Sequence, residues 1–274
     1  ALLGPPAFAR AALDVWVRQL RPPTQLPPVA GATSRTRSAL YERVLFRMAP
    51  LAGFWGDRLA QPEWSGRYDV SQVERLRRDL AGRPLIMVSF HYGALVMVPP
   101  VLTQYGVPTA LAVGREGWPL PRLRQWRLDL AKVGDTPTVV PAEARAMLRF
   151  LKPGRCLIVA VDLPTAELAE LLFEDAIFRV STPPLRLARV ARAAVVPMLA
   201  INRGTWKVQV HLGRPVPQEL IESGDYGAAA AHIVDELLPV AARAPGQALP
   251  SLVDAFVSAA EPRAEAPAPA FEAV

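Results

Sequence analysis

From residue 84 onward, short continuous apolar runs alternate with segments whose apolar positions recur every three or four residues. The runs predict strands at 85–90, 109–113, 138–140, 156–161, 194–201 and 206–212. The segments between them predict helices at 93–105, 121–132, 142–151 and 184–192, with a further helix at 228–242. Strands alternating with helices predict an α/β fold: a largely parallel mixed sheet flanked by helices. The last run differs from the others. Lys207, Gln209 and His211 alternate with Val208, Val210 and Leu212, the pattern of a solvent-edge strand hairpinned onto its predecessor through Asn202-Arg203-Gly204.

Upstream the pattern is helical throughout. Phe8, Leu13, Trp16, Val17 and Leu20 fall on one side of a helix over 7–20, stopped by the proline-rich stretch 21–28. A second helical stretch, 36–59, carries Tyr41, Val44, Leu45, Met48, Leu51, Phe54 and Trp55, and is interrupted at Pro50 and Gly53. A third, 71–80, opens on Ser71 with Glu74 three residues on and stops at Gly82. The division expected is an N-terminal helical extension, 1–83, packing on an α/β core, 84–260. A disordered Ala/Pro/Glu tail, 261–274, follows.

Composition narrows the class without choosing a function. Hydrophobic residues make up 51% of 274, enough for a sizeable core. The net charge of +6 and pI near 10.0 favour anionic partners. That charge is dispersed and no recognition motif accompanies it, so nucleic acid is not expected as a partner. The single cysteine, Cys156, lies inside an apolar run; it excludes an internal disulfide and reads as a small core residue. No His/Asp/Glu cluster has metal-ligand spacing, and no glycine-rich phosphate loop is present, so neither metal nor cofactor is expected. No run approaches the roughly 18 apolar residues of a spanning helix, and no basic-then-apolar leader opens the sequence. The sequence starts at Ala1, which leaves a preceding anchor open.

One place in the pattern points to chemistry. The run Leu85-Ile86-Met87-Val88-Ser89-Phe90 ends in His91-Tyr92-Gly93, and a second apolar run of helical character follows. In a parallel sheet, ligands bind beyond the carboxyl ends of the strands, which is where His91 falls. A neutral imidazole there can take a proton from a hydroxyl or an amine; a histidine that merely caps the strand by hydrogen bonding gives the same pattern. Gly93 would let a substrate come close to the backbone. His211 and His232 fall on exposed strand and helix faces. Leu95, Val96, Met97 and Val98 read either as the wall of an acyl groove or as a helix buried against the sheet.

The order of these blocks resembles the bacterial lipid A late-acyltransferase family, within the glycerolipid acyltransferase superfamily. There a hydrophobic strand leads into a His-x-Gly-x-x-Glu motif, in which the histidine is the base and the carboxylate orients it. Here the strand leads into His91-Tyr92-Gly93-Ala94-Leu95-Val96. Ala110-Leu111-Ala112-Val113-Gly114-Arg115 matches the family's next strand and arginine, and Arg127 (or Arg124) a further arginine. Lys152-Pro153-Gly154, the run 156–161 and Asp162 match its turn, strand and aspartate. Ser181-Thr182-Pro183 matches a Thr-Pro that opens a helix. The resemblance covers about residues 40–240.

What it implies is acyl transfer from a thioester, on acyl carrier protein or coenzyme A, to a hydroxyl or amine acceptor. The protein would be cytoplasmic, free or peripheral on the inner face of the cell membrane, with Trp16, Arg10, Arg18 and Arg21 consistent with interfacial docking. His91 would be the base. Backbone N–H groups near Tyr92 and Gly93, or an arginine, would stabilise the oxyanion. Val96 stands where the family has its acid, and Ala94 where it has asparagine after the glycine. Either His91 works alone or with a carboxylate from elsewhere, or the chain is a degenerate acyl-binding or membrane-associated scaffold. Glu116 is the first candidate for that carboxylate and Asp162 the second. The substrate-binding set expected is Tyr92, Gly93, Val96, Arg115, Arg127, Asp162, Arg179 and Thr182, the arginines because guanidinium binds phosphate in bidentate fashion.

Overall fold

The computed structural model describes residues 68–69, 71–79, 82–114, 132–133, 135–163, 165–173, 176–204, 207–243, 247–248, 252 and 255–258. The expected helices 7–20 and 36–59 and the tail 261–274 lie outside the described residues. So does the expected helix 121–132, apart from Lys132, which begins a strand instead.

In chain order the elements are β1 (Tyr68–Asp69), α1 (Ser71–Asp79), β2 (Leu85–Ser89), a 3-10 turn (Leu95–Met97) running into α2 (Val98–Gln104), and β3 (Thr109–Val113). Then come β4 (Lys132–Val133), β5 (Thr136–Pro137), β6 (Val139–Pro141), α3 (Ala144–Phe150), β7 (Cys156–Ala160), β8 (Leu168–Phe173) and β9 (Ala176–Ser181). The remainder is α4 (Pro183–Ala191), β10 (Ala194–Gly204), β11 (Lys207–Leu212), α5 (Gln218–Ser223), α6 (Tyr226–Ala241) and β12 (Phe256–Ser258).

Seven strands form the main sheet in the order β1-β11-β10-β2-β7-β3-β6. All neighbours run parallel except β10 and β11, which form the antiparallel pair expected from the sequence. The α/β, largely parallel mixed sheet is therefore present. One expectation is corrected: β11 is not an edge, because β1 pairs with it on its far side, Tyr68 opposite Val208 and Asp69 opposite Gln209.

Strand alternation divides the core in two, since successive side chains point to opposite faces. On one face Ile86, Val88, Phe90, Leu157, Val159 and Val161 pack under α4 and α6, with Leu185, Ala188, Ile233 and Leu237 fully buried. On the other, Leu85, Met87, Cys156, Ile158, Val196 and Met198 pack under α1 and the segment 94–102. A central strand covered on both faces reads as a near-continuous apolar run, as β7 does and as β2 does up to the buried Ser89.

A second, three-stranded antiparallel sheet, β12-β9-β8, was not anticipated from the sequence. Leu168–Phe173 and Ala176–Ser181 pair as a hairpin, Glu170 opposite Arg179 and Leu171 opposite Phe178, and Phe256 lies opposite Phe178 from the other side. Phe178 is fully buried, edge-on to Phe90 with ring centroids 5.3 Å apart, so the small sheet is joined to the large one through a well-placed aromatic pair.

Candidate active site

His91 and Asp162 meet at the carboxyl edge of the main sheet. The His91 Nδ1 lies 2.8 Å from Asp162 Oδ1, and the backbone N–H of His91 donates to both carboxylate oxygens, each at 3.0 Å. The Asp162 side chain is wholly buried and the His91 ring is 16% exposed. A buried aspartate is therefore covered by an imidazole that still reaches the surface.

The sheet itself brings these two together. β2 and β7 run parallel, with Leu85 opposite Cys156 and Ser89 opposite Ala160. Carrying that alignment two residues past the strand ends places His91 opposite Asp162. Met87, Ser89 and His91 share one face by alternation, as do Ile158, Ala160 and Asp162, so both side chains leave the sheet on the same side. The alignment is held beyond the strands, because Val161 N–H donates to Ser89 C=O at 2.8 Å.

The chemistry of the pair follows from donor and acceptor inventories. An ionised carboxylate only accepts, so the imidazole nitrogen facing it carries the proton. In the neutral ring the lone pair then falls on Nε2, and the carboxylate stabilises the imidazolium formed when Nε2 takes a proton. Of the two carboxylates offered as partners for His91, the structure places the second, Asp162, against the ring. Glu116, the first, lies outside the described residues, as do Arg115, Arg124 and Arg127. Asp162 was also expected among substrate-binding residues; here both its carboxylate oxygens are turned to His91.

Other expected residues are placed differently from their sequence reading. Tyr92 is fully buried in the core under α6, its hydroxyl donating to the Ala241 carbonyl at 3.4 Å; its side chain packs the fold. Val96 is buried with Leu95, Met97 and Val98 in the second apolar cluster. Their burial matches the reading of a segment packed against the sheet. An unpaired carboxylate in that cluster would cost several kcal/mol, whereas a buried valine contributes about 1.5–3 kcal/mol.

Gly93 is needed for a reason other than substrate approach. Its φ is +58° and a Cβ there would overlap the Ala200 carbonyl oxygen of β10. Its N–H donates to the Gln247 carbonyl at 3.0 Å and the N–H of Ala94 to Ala200 C=O at 2.9 Å. Both donors are consumed within the fold, so the Gly93 N–H expected as an oxyanion donor is already bonded.

Thr182 precedes α4 and its hydroxyl donates to the Glu167 carbonyl at 3.4 Å. Arg179 pairs across the hairpin with Glu170, its Nε and terminal nitrogen each 3.1 Å from Oε1. That pairing takes up one edge of the guanidinium expected to hold phosphate. Ser181 ties the hairpin to the site: its N–H donates to Val161 C=O at 2.7 Å and its hydroxyl lies 3.0 Å from that of Thr165.

His211 and His232 are half-buried rather than exposed. Burial lowers the pKa of His211; the Glu236 charge opposes that shift and Arg243 adds to it. His232 places Nε2 3.0 Å from the Arg214 carbonyl. Burial drives the Cys156 thiol up to about 12, which agrees with its reading as an inert core residue. Among the described residues no group of His, Cys, Asp and Glu could hold a metal ion, and no helix is long and apolar enough to cross a membrane. No protein-family model and no curated protein matches the chain.

Proposed function

We propose that the chain is an acyltransferase that moves an acyl group from a thioester, on acyl carrier protein or coenzyme A, to a hydroxyl or amine acceptor. The observation that carries this reading is the 2.8 Å contact between His91 Nδ1 and the buried Asp162 carboxylate at the carboxyl edge of a parallel sheet. The arrangement fits general-base chemistry. His91 Nε2 takes the acceptor proton as the oxygen or nitrogen attacks the thioester carbonyl. The tetrahedral intermediate then collapses, the C–S bond breaks, and the thiolate leaves with the proton returned from His91.

The resemblance of the sequence blocks to the lipid A late-acyltransferase family supports the same reading, with one alteration. The acid that the family carries on the segment after its histidine is supplied by the neighbouring strand, and the vacated position has become core. A cytoplasmic protein docked at the inner face of the cell membrane is the setting that accords with this proposal.

The test is incubation of the purified protein with carrier-protein and coenzyme A thioesters of graded chain length, together with alcohol and amine acceptors, read by mass spectrometry. Transfer or thioester hydrolysis that disappears in His91→Ala supports the proposal. Acyl ligand retained by both proteins without turnover overturns it in favour of a binding scaffold.

A further inference from the structure

The His91 turn is gripped from two sides by segments remote in sequence. On one side Gly93 bridges in parallel fashion to Ala200, and Ala94 N–H bonds to the same carbonyl. On the other, Tyr92 bridges in antiparallel fashion to Ala248, and Gly93 N–H donates to Gln247 C=O at 3.0 Å. The Gln247 side chain also faces the turn: a Cβ on Gly93 would lie 3.1 Å from its Oε1. The residue is only 6% exposed. A carboxamide is buried at a cost unless it is hydrogen-bonded in place, so its presence against this turn is a specific arrangement rather than filler.

The same stretch of chain continues to the other half of the pair. Arg179 N–H donates to Ala255 C=O at 2.9 Å, and Phe256–Ser258 adds a strand to β9. β9 ends in Ser181, which bonds to Val161, the residue before Asp162. Residues beyond α6 therefore abut the histidine turn at one end and the hairpin that anchors the aspartate at the other.

We infer that Gln247 is a positioning residue for His91, wedged against Gly93 so that the imidazole stays in register with Asp162. This rests on the reading of His91 as the general base. Its effect is on geometry, and a displacement of about 1 Å at a reacting group can cost about 10²-fold in rate.

The experiment compares full-length Gln247→Ala and Gln247→Met with the parent, reading acyl-thioester turnover and the ¹⁵N and Nδ1–H resonances of the His91 ring. Gln247→Ala is expected to lower kcat by about 10–100-fold with KM within about three-fold, and to broaden or shift the Nδ1–H resonance. Gln247→Met keeps the volume without the amide and is expected to recover less than half of the loss. Parent-like kcat and His91 resonances in Gln247→Ala would overturn the inference, as would full recovery in Gln247→Met, which would make the side chain a space-filler. Should the parent show no turnover, the acyltransfer reading fails separately, and the His91 resonances still decide whether Gln247 positions the ring.

Discussion

Replacing Asp162 by asparagine tests the pair most directly, because it preserves shape and removes the charge. Asp162 Oδ1 and Oδ2 both lie 3.0 Å from the His91 N–H, and Oδ1 also faces Nδ1 at 2.8 Å. In asparagine one of those positions becomes an NH₂, so a donor meets the backbone donor whichever way the amide is turned. If the NH₂ takes the Oδ1 position it also donates to Nδ1, which moves the ring proton to Nε2 and abolishes the base. Loss of the charged hydrogen bond alone is worth about 1.5–3 kcal/mol, or roughly 10–150-fold in rate at about 1.4 kcal/mol per decade. Reversal of the tautomer in an analogous histidine–aspartate pair costs about 10⁴-fold.

The expected result is a fall in kcat for thioester turnover of about 10³–10⁴-fold. The imidazole ¹⁵N shifts should exchange the Nδ1–H pattern for Nε2–H. Turnover within three-fold of the parent, with the tautomer unchanged, would refute the assignment of Asp162.

Further expectations bear on the frame around the site. Gly93→Ala forces a Cβ into the Ala200 carbonyl at a φ of +58°. Breaking the two adjoining backbone hydrogen bonds should cost about 2–4 kcal/mol in denaturant unfolding; an unchanged midpoint would contradict the packing described. His211 has a pKa lowered by burial, so the unfolded chain binds its proton first. Stability is then complete above the ordinary value of about 6.5 and declines as pH falls from there through the folded-state value. Unfolding at pH 7.5 and 5.5 should show that decline, and His211→Gln should flatten it. Cys156 should resist alkylation by iodoacetamide in the native protein and react only on unfolding; rapid native labelling would place the thiol outside the core.

The sequence made the central strands of the main sheet legible because they are buried on both faces and read as nearly unbroken apolar runs, whereas β1, two residues long, carries no such signal. It also made the histidine at the carboxyl edge conspicuous. The hairpin of β8 and β9 was less visible. Leu168–Phe173 mixes Glu170 into apolar residues, and Leu172 is 77% exposed, so neither clean alternation nor a buried run marks it. Glu116 and Asp162 both follow a strand end, so the sequence alone does not put Asp162, 71 positions from His91, ahead of Glu116. What could have ranked it first is pairing of the runs at 85–90 and 156–161, since both end at the same edge. The grip of Gln247 and Ala248 on the turn left no trace, because an isolated backbone bridge imposes no hydrophobic period.

The common alignment of β2, β7 and the pair makes the active geometry a matter of counting residues. Point changes in side-chain size along these strands leave the count intact, but a single insertion or deletion between Cys156 and Asp162 would not. With a two-residue side-chain period, such an indel turns the carboxylate to the α6 face of the sheet and puts an apolar neighbour opposite the imidazole. In a lineage carrying this site, strand length would be held more strictly than strand composition. Homologues could exchange valine for isoleucine freely along β7 and still be barred from gaining or losing one residue.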